Sequence, residues 1–151
     1  MIEEKICPSH QAYAGSSCKI SSIECFRFDQ ELKQRLFPGY GQQDSCGVLT
    51  LRTDHGDFGI SGFALSCSRM HGDFVRWAYV FQRIKGMSLE DALQYALLKQ
   101  EIWGTDRSRM LESALTCMTS EPEAVFPAKS DWNCVKDHSY LFDHAQAYIA
   151  F

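Results

Sequence analysis

The sequence has few of the features that mark nucleic-acid-binding, membrane or exported proteins. Its 15 basic residues are outnumbered by 19 acidic ones, and lysine and arginine form no continuous stripe. Because phosphate backbones are bound by clustered positive charge, nucleic acid is not expected as a partner. No apolar run approaches the roughly 18 residues that a membrane span requires. The acidic segment MIEEKICPSH at positions 1–10 lacks the apolar core of a secretory signal, so we expect a cytoplasmic protein that contacts no membrane.

The chain contains seven cysteines among its 151 residues. In a cytoplasmic protein they are expected to be reduced, and an odd number cannot pair completely within one chain. Cys25, Cys46 and Cys117 lie within apolar or strand-like stretches, and we interpret them as packing residues. With 45% hydrophobic and 23% charged residues, the composition is typical of one soluble globular domain.

Three segments have the composition of β-strands. The first, KISSIECFRF at 19–28, is rich in isoleucine and phenylalanine. The other two lie in VLTLRTDHGDFGISGFAL at 48–65, where DHGD supplies a tight turn and Gly56 can adopt a positive φ. In the third strand, Gly59 and Gly62 fit two alternatives, a twisted hairpin with a bulge or the close approach of another backbone or a ligand. The bulge is the favoured interpretation.

After the third strand the hydrophobic period changes from two residues to 3.6, which is typical of helices. Helices are predicted over 73–86, 88–103 and 105–118, with Ser88 as the N-cap of the second, and a last helix over about 137–150. The residues expected to face inward are Phe74, Trp77, Ala78, Phe81 and Ile84 in the first helix, Leu89, Ala92, Leu93, Ala96 and Leu97 in the second, Met110, Leu111, Ala114, Leu115 and Met118 in the third, and Tyr140, Leu141, Ala145, Tyr148 and Ile149 in the last.

This order of elements predicts an α+β fold, in which a three-stranded antiparallel meander is followed by a bundle of three to four helices. We divide the chain into an N-terminal arm at 1–18, an α+β domain at 19–119 and a C-terminal extension at 120–151. The extension is expected to pack on the same domain.

The order of elements and two short motifs resemble the N-terminal capping domain of the enolase superfamily, in its mandelate racemase and muconate lactonizing branch. The motifs are VLTLRTDHGDFG in the hairpin and EIWGTDRSRMLESAL in the helical part, and the resemblance covers about 19–119. It implies the fold of the cap. Where the family usually has Gly-Trp-Gly-Glu, this chain has Gly59, Ile60, Ser61 and Gly62, so the acidic residue is missing.

The resemblance implies the cap without the enzyme. In the family, a second domain of barrel fold supplies the bases and the Mg²⁺-binding carboxylates, and proton abstraction next to a carboxylate needs both. Only some 30 residues follow position 120, too few for such a barrel. We therefore carry over no catalytic residue and expect no metal and no cofactor.

Two predicted loops, at about 29–45 and 66–72, match the family loops that close over the barrel and select substrate. The first contains the turn-forming sequence FPGYG. Phe37, Tyr40, Arg69 and His71 are the side chains in these loops that are most suited to recognising a small-molecule ligand. The alternative is that all four are ordinary surface residues.

Cysteine and histidine give two further alternatives. A zinc site would need four ligands in a tetrahedron, and the familiar two closely spaced pairs are missing. Cys67 near His71 would suit a nucleophilic cysteine with a histidine base, but nothing in SCSRMHGD establishes that geometry. The residues that a fold would have to gather for zinc are Cys7, His10, Cys18, Cys134, His138 and His144.

The leading functional hypothesis is a non-catalytic binding or accessory protein. A cap normally has one face covered by the barrel, and soluble proteins seldom leave a large apolar face uncovered. We therefore expect either an isologous homodimer or a protein partner, or burial of that face by residues 132–151. The alternative is a small enzyme or metal-binding protein that uses a cysteine/histidine site.

Overall fold

The structure is a computed structural model that describes residues 18–41, 43–66, 73–118, 134–135 and 137–151. Within these ranges the fold is α+β, as the sequence predicts, but one helix lies between the first two strands and a fourth strand follows the last helix. The strands are β1 (Ile20–Phe28), β2 (Ser45–Thr53), β3 (Phe58–Leu65) and β4 (Ala145–Ala150). The helices are α1 (Gln30–Leu36), α2 (Phe74–Ala78) with a 3₁₀ helix directly after it (Tyr79–Ile84), α3 (Leu89–Leu98), α4 (Gln100–Cys117) and α5 (His138–Asp143).

The four strands form one antiparallel sheet in the order β3-β2-β1-β4. The meander of β1, β2 and β3 is confirmed, but the predicted number of strands is too small, because β4 pairs with the free edge of β1. The β2–β3 register runs without a shift from Ser45↔Leu65 to Arg52↔Phe58, so the predicted bulge is wrong. A side chain on Gly59 would instead place a Cβ 2.1 Å from the carbonyl oxygen of Ala114, so the glycine permits close approach of α4.

The segment that follows residue 137 corrects the predicted last helix. Helix α5 ends after one and a half turns, and Ala145–Ala150 is a strand. The apolar spacing that suggested a helix also fits a strand with two covered faces. Ile149 packs against the core on one side of the sheet, and Tyr148 packs on the other. The backbone N–H of Asp29 donates to the carbonyl of His144 at 2.7 Å, which fixes where β4 begins beside β1.

The predicted loop at 29–45 contains a helix, and this part of the prediction is wrong. Asp29 is the N-cap of α1, and its carboxylate accepts from the backbone N–H of Leu32 at 2.9 Å. Leu32 and Leu36 are buried, so a short apolar stripe holds the helix against the sheet. The turn that the sequence predicted begins only after Phe37.

The helical half of the fold has the predicted apolar faces but not all of the predicted bounds. The helix predicted over 73–86 is α-helical only in Phe74–Ala78 and continues as a 3₁₀ helix, and the helix predicted over 88–103 ends at Leu98. Ser88 caps α3 by accepting from the backbone N–H of Asp91 at 3.1 Å. The predicted break near Trp103 and Gly104 is present, since Gly104 has φ +85° inside α4. Leu97 was expected to face inward, but its side chain is exposed, as is that of Leu98 at the end of α3.

Two hydrophobic cores lie on opposite faces of the sheet. The larger one is enclosed by β1–β3 and by α2, α3 and α4, and it includes Ile23, Leu49, Phe81 and Leu111. The smaller one covers the other face around Phe26, with contributions from α1 and α5. Cys25, Cys46 and Cys117 are all buried, as predicted for packing residues. Among the described residues, no helix is both long and apolar enough to cross a bilayer.

The division of the chain into three parts stays a prediction. Residues 1–17 and 119–133 lie outside the described ranges. In the C-terminal part that is described, Val135 and Leu141 are buried in the smaller core.

Candidate functional site

The β2–β3 turn places a cluster of polar side chains next to the start of β1. Cys18 Sγ lies 2.6 Å from His55 Nδ1 and 3.7 Å from Asp57 Oδ2. One donor atom each from Cys18, Asp54 and His55 lies within 4.8 Å of the other two. The thiol is buried, whereas the turn residues are exposed. The turn thus brings a thiol, an imidazole and carboxylates together at the end of the sheet.

Hydrogen bonds shape this turn and hold it against the residue that precedes β1. Thr53 Oγ1 accepts from the backbone N–H of His55 at 3.2 Å. The backbone N–H of Asp54 donates to the carbonyl of Lys19 at 3.0 Å, and the N–H of Lys19 donates to Asp54 Oδ1 at 3.0 Å. Cys18 is the residue before Lys19, so these bonds hold its side chain beside the turn.

A second polar cluster lies on the sheet face that carries the smaller core. Glu24 on β1 accepts from the hydroxyl of Tyr148 at 2.7 Å and from that of Thr50 at 3.3 Å. His138 Nε2 lies 2.9 Å from the same carboxylate. The Glu24 side chain is 13% exposed and that of His138 is 47% exposed. The cluster therefore joins β1 and β2 to the C-terminal elements around a largely buried carboxylate.

The ionised form of Glu24 and the neutral form of Tyr148 stabilise each other. Burial alone would raise the pKa of Glu24, but the hydrogen bonds from His138 and Tyr148 and the charge of His138 outweigh it and lower the pKa. Burial and the neighbouring carboxylate raise the pKa of Tyr148 to about 12. The stable arrangement is therefore an ionised Glu24 that accepts a hydrogen bond from a neutral tyrosine.

Aromatic rings surround this cluster. The ring of Phe26 lies 4.9 Å from that of Tyr148 and 5.9 Å from that of His138. Phe142 closes the group, with its ring 4.8 Å from Tyr148. The Glu24 carboxylate on one nitrogen of His138 orients the imidazole. The packed rings and the three partners of Glu24 equally suit a structural role in joining α5 and β4 to the sheet.

The four predicted ligand-binding residues fall into two groups. Phe37 is half-buried and its ring lies 6.3 Å from that of Phe28 and 6.0 Å from that of Tyr40, which is exposed. Arg69 and His71 lie outside the described residues, as does Cys67. Ligand binding by these loops stays a prediction.

The zinc ligand set weighed from the sequence does not assemble within the described part of the chain. Cys18 lies at the hairpin turn, while His138 contacts Glu24 and His144 Nδ1 lies 3.0 Å from Asp29 Oδ2. Cys7 and His10 are outside the described residues.

The residues that do come together at the hairpin turn were not predicted as a site from the sequence. The density of polar groups in TDHGD was interpreted as a turn only, although it also supplies the imidazole and carboxylates. Their partner Cys18 is 37 residues away from His55. Only the pairing of β1 with β2 brings the two together.

Two grooves lie on the helical side of the molecule. One, of about 190 Å³, runs between β3 and α4 and is lined by polar groups that include Asp106 and Arg109. The other, of about 250 Å³, lies where α3 meets α4 and is lined in part by Tyr79 and Ile102. The remaining residues of this second groove are Val80, Arg83, Tyr95, Lys99 and Trp103.

No protein-family model matches the sequence, and no curated protein matches it. Among solved structures, the fold is similar to a mandelate racemase/muconate lactonizing enzyme from Roseovarius nubinhibens ISM, with a TM-score of 0.45 and 16% identity over 68% of this chain and 31% of that one. It is also similar to a proposed dehydratase from Zymomonas mobilis ZM4, with a TM-score of 0.43 and 19% identity over 68% of this chain and 26% of that one. For a proposed mandelate racemase/muconate lactonizing enzyme from Aspergillus oryzae the TM-score is 0.44 and the identity 18%, over 68% of this chain and 30% of that one.

Two of these structures carry the name of the family that the sequence resembles. The chain spans about a third or less of the length of each of the three structures. The likeness concerns the fold and not the activity.

Proposed function

We propose that this protein acts by binding and not by catalysis, and that it self-associates through an exposed apolar surface at the junction of α3 and α4. The surface, here called the apolar patch, consists of Tyr79, Leu98 and Ile102. Their side chains are exposed by 53%, 81% and 68% respectively. Tyr79 and Ile102 line one groove, and Leu98 directly precedes the lining residue Lys99 in the chain. This concentration of exposed apolar side chains at one junction is the observation that carries the proposal.

The patch has the physical character of an interface. Single exposed leucines are common on soluble proteins, but large side chains that are grouped beside a groove mark sites of association. Full burial of a leucine or isoleucine contributes about 1.5–3 kcal/mol. Leu98 and Ile102 retain most of that contribution for a partner, because they are mainly in contact with water in the single chain.

A second copy of the same chain fits the patch because its rim carries both signs of charge. Arg83 and Lys99 line the groove, and the exposed Glu101 lies next to Ile102 in the chain. In an isologous dimer each surface meets itself in reverse, so a basic group of one copy can face an acidic group of the other. A partner with one sign of charge would match only half of this rim.

Light scattering on the full chain after size-exclusion chromatography tests the proposal over a wide range of protein concentrations. We expect the mass of two chains for the wild type. Ile102→Glu should give the mass of one chain, since it places a carboxylate in the centre of the interface without touching the core. Circular dichroism should show that this variant retains the fold.

Tyr40→Ser is the matched control, since Tyr40 is another exposed large side chain and lies in the α1–β2 loop. It should remain a dimer. A wild type that has the mass of one chain throughout, or an Ile102→Glu variant that stays a dimer, would overturn the proposal.

A second candidate function is favoured by the contact of 2.6 Å between Cys18 and His55. It is a metal-dependent or thiol-dependent role at the hairpin turn. Within the described residues, this is the place where the structure joins a thiol to an imidazole.

A further inference from the structure

We propose that Cys18, Asp54 and His55 form a binding site for a single zinc ion. Their donor atoms, one from each side chain, already lie within 4.8 Å of one another. Two of them, Cys18 Sγ and His55 Nδ1, are in direct contact at 2.6 Å. The site belongs to the hairpin turn and is separate from the apolar patch.

The set of donors selects the metal. A thiolate, an imidazole and a carboxylate are the ligand types of zinc, whereas Mg²⁺ and Ca²⁺ prefer oxygen alone. Zinc holds sulfur at about 2.3 Å and nitrogen or oxygen at about 2.0–2.2 Å, so tetrahedral ligands stand about 3.5 Å apart. The pair Cys18–His55 must therefore separate by about 1 Å on binding. The exposed His55 side chain can make this movement.

The surrounding hydrogen bonds hold the ligands in place. Asp54 is fixed against Lys19 by two hydrogen bonds of 3.0 Å, one through its backbone N–H and one through its carboxylate. Cys18 is buried at the start of β1, so its sulfur has a fixed position. The fourth ligand is a water molecule or Asp57, whose Oδ2 lies 3.7 Å from the sulfur.

Zinc at this point ties the start of β1 to the β2–β3 turn. The ion would join two segments that are 37 residues apart in sequence. Because a metal that binds only the folded state stabilises it by mass action, zinc should raise the midpoint of thermal unfolding.

Cobalt titration of the metal-stripped full chain tests the site, since Co²⁺ bound to a thiolate gives a charge-transfer absorption band. We expect one Co²⁺ per chain with that band, and displacement of the cobalt by one equivalent of zinc. His55→Ala should weaken cobalt binding by at least about 100-fold, which is at or beyond the upper end of the loss seen when a supporting group around a metal is removed. His55 is exposed on the turn, so this variant should retain the circular dichroism of the wild type.

Cys18→Ser should abolish the charge-transfer band, while the control Cys134→Ser should bind cobalt as the wild type does. The proposal is overturned if the wild type gives no band, if Cys18→Ser retains it, or if His55→Ala binds cobalt with unchanged affinity. Because none of these measurements depends on the oligomeric state, they remain informative whether or not the chain forms a dimer.

Discussion

The hydrogen bond between Glu24 and Tyr148 connects β1 to the C-terminal strand, and a double-mutant cycle can measure its strength. The perturbations are Glu24→Gln, Tyr148→Phe and the two together. Glu24→Gln removes the negative charge of the acceptor and Tyr148→Phe removes the donor hydroxyl, each with little loss of volume. The cycle therefore reports the interaction between the two side chains and not the packing of the rings around them.

The expected coupling follows from the geometry. The hydroxyl donates to an ionised carboxylate at 2.7 Å, and Glu24 is 13% exposed. Hydrogen bonds to charged groups contribute about 1.5–3 kcal/mol. Because Tyr148 is only partly buried and the amide introduced by Glu24→Gln can still accept a weaker bond, we expect a coupling energy of about 1–2 kcal/mol at neutral pH.

The coupling should also depend on pH in a defined direction. The folded-state pKa of Glu24 is lowered below its ordinary value of 4.5. Its contribution to stability is thus fully present above pH 4.5 and is lost as the pH falls through the folded-state value. For Tyr148, with a pKa raised from 10.0 to about 12, the contribution is present below pH 10 and is lost as the pH rises toward 12.

Urea denaturation of the four proteins, followed by circular dichroism at neutral pH and again well below pH 4.5, gives the coupling free energy. As a control, the cycle of Glu24→Gln with Tyr40→Phe should show no coupling, because Tyr40 lies in the α1–β2 loop. A coupling energy below about 0.5 kcal/mol at neutral pH, or one that does not fall in acid, would refute the reasoning.

Three further outcomes are expected. Gly59→Ala should destabilise the fold by about 1–3 kcal/mol in urea denaturation, because its Cβ would lie 2.1 Å from a carbonyl oxygen of α4. The control Gly41→Ala, whose Cβ would have its nearest contact at 3.8 Å, should have a free energy of unfolding within about 0.5 kcal/mol of the wild type. Equal effects of the two substitutions would contradict the close helix–sheet contact. Ser88→Ala should cost about 1 kcal/mol through loss of the α3 cap, and an unchanged urea midpoint would count against that cap. Burial raises the pKa of the Cys46 thiol to about 12. Mass spectrometry after thiol labelling of the native protein should therefore find Cys46 unmodified and the half-buried Cys134 labelled. Labelling of Cys46 before Cys134 would contradict the burial of Cys46.

The parts of the fold that sequence could predict are those in which local pattern and burial agree. The helix over 73–86 was predicted from five apolar positions at helical spacing, and all five are buried. The break at Gly104 was equally visible, since glycine reaches positive φ without strain. In both cases a short window of sequence contains the physical cause.

The errors lie where the cause is distant in sequence. Residues 145–150 have a spacing of apolar side chains that suits either a helix or a strand with two covered faces. Pairing with the edge of β1, in which Cys25 stands opposite Ile149, decides for the strand. Helix α1 was missed for a different reason, because the proline and glycines that follow Leu36 indicated a loop and the N-cap residue Asp29 was not recognised.

The candidate zinc site shows the same limit. Cys18 was considered as a zinc ligand, but it was grouped with residues of the two chain ends. The partners that the structure gives it, His55 and Asp54, were assigned to a turn only. Sequence reveals which residue types are present, whereas the antiparallel pairing of β1 and β2 determines which of them meet.

The positions of the two proposed sites predict that zinc should leave the oligomeric state unchanged. Lys19, next to Cys18, pairs with Ser88 at the start of α3, whereas Leu98 of the apolar patch is the last residue of that helix. Ten residues of helix span about 15 Å, so an ion at the hairpin turn cannot contact the patch. Light scattering of the full chain with and without one equivalent of zinc should therefore give the same mass.

A mass that doubled with zinc, and did so in the Ile102→Glu variant as well, would show that the metal draws its fourth ligand from a second chain. The ion would then be the bridge between copies, and the apolar patch would no longer be needed to explain a dimer.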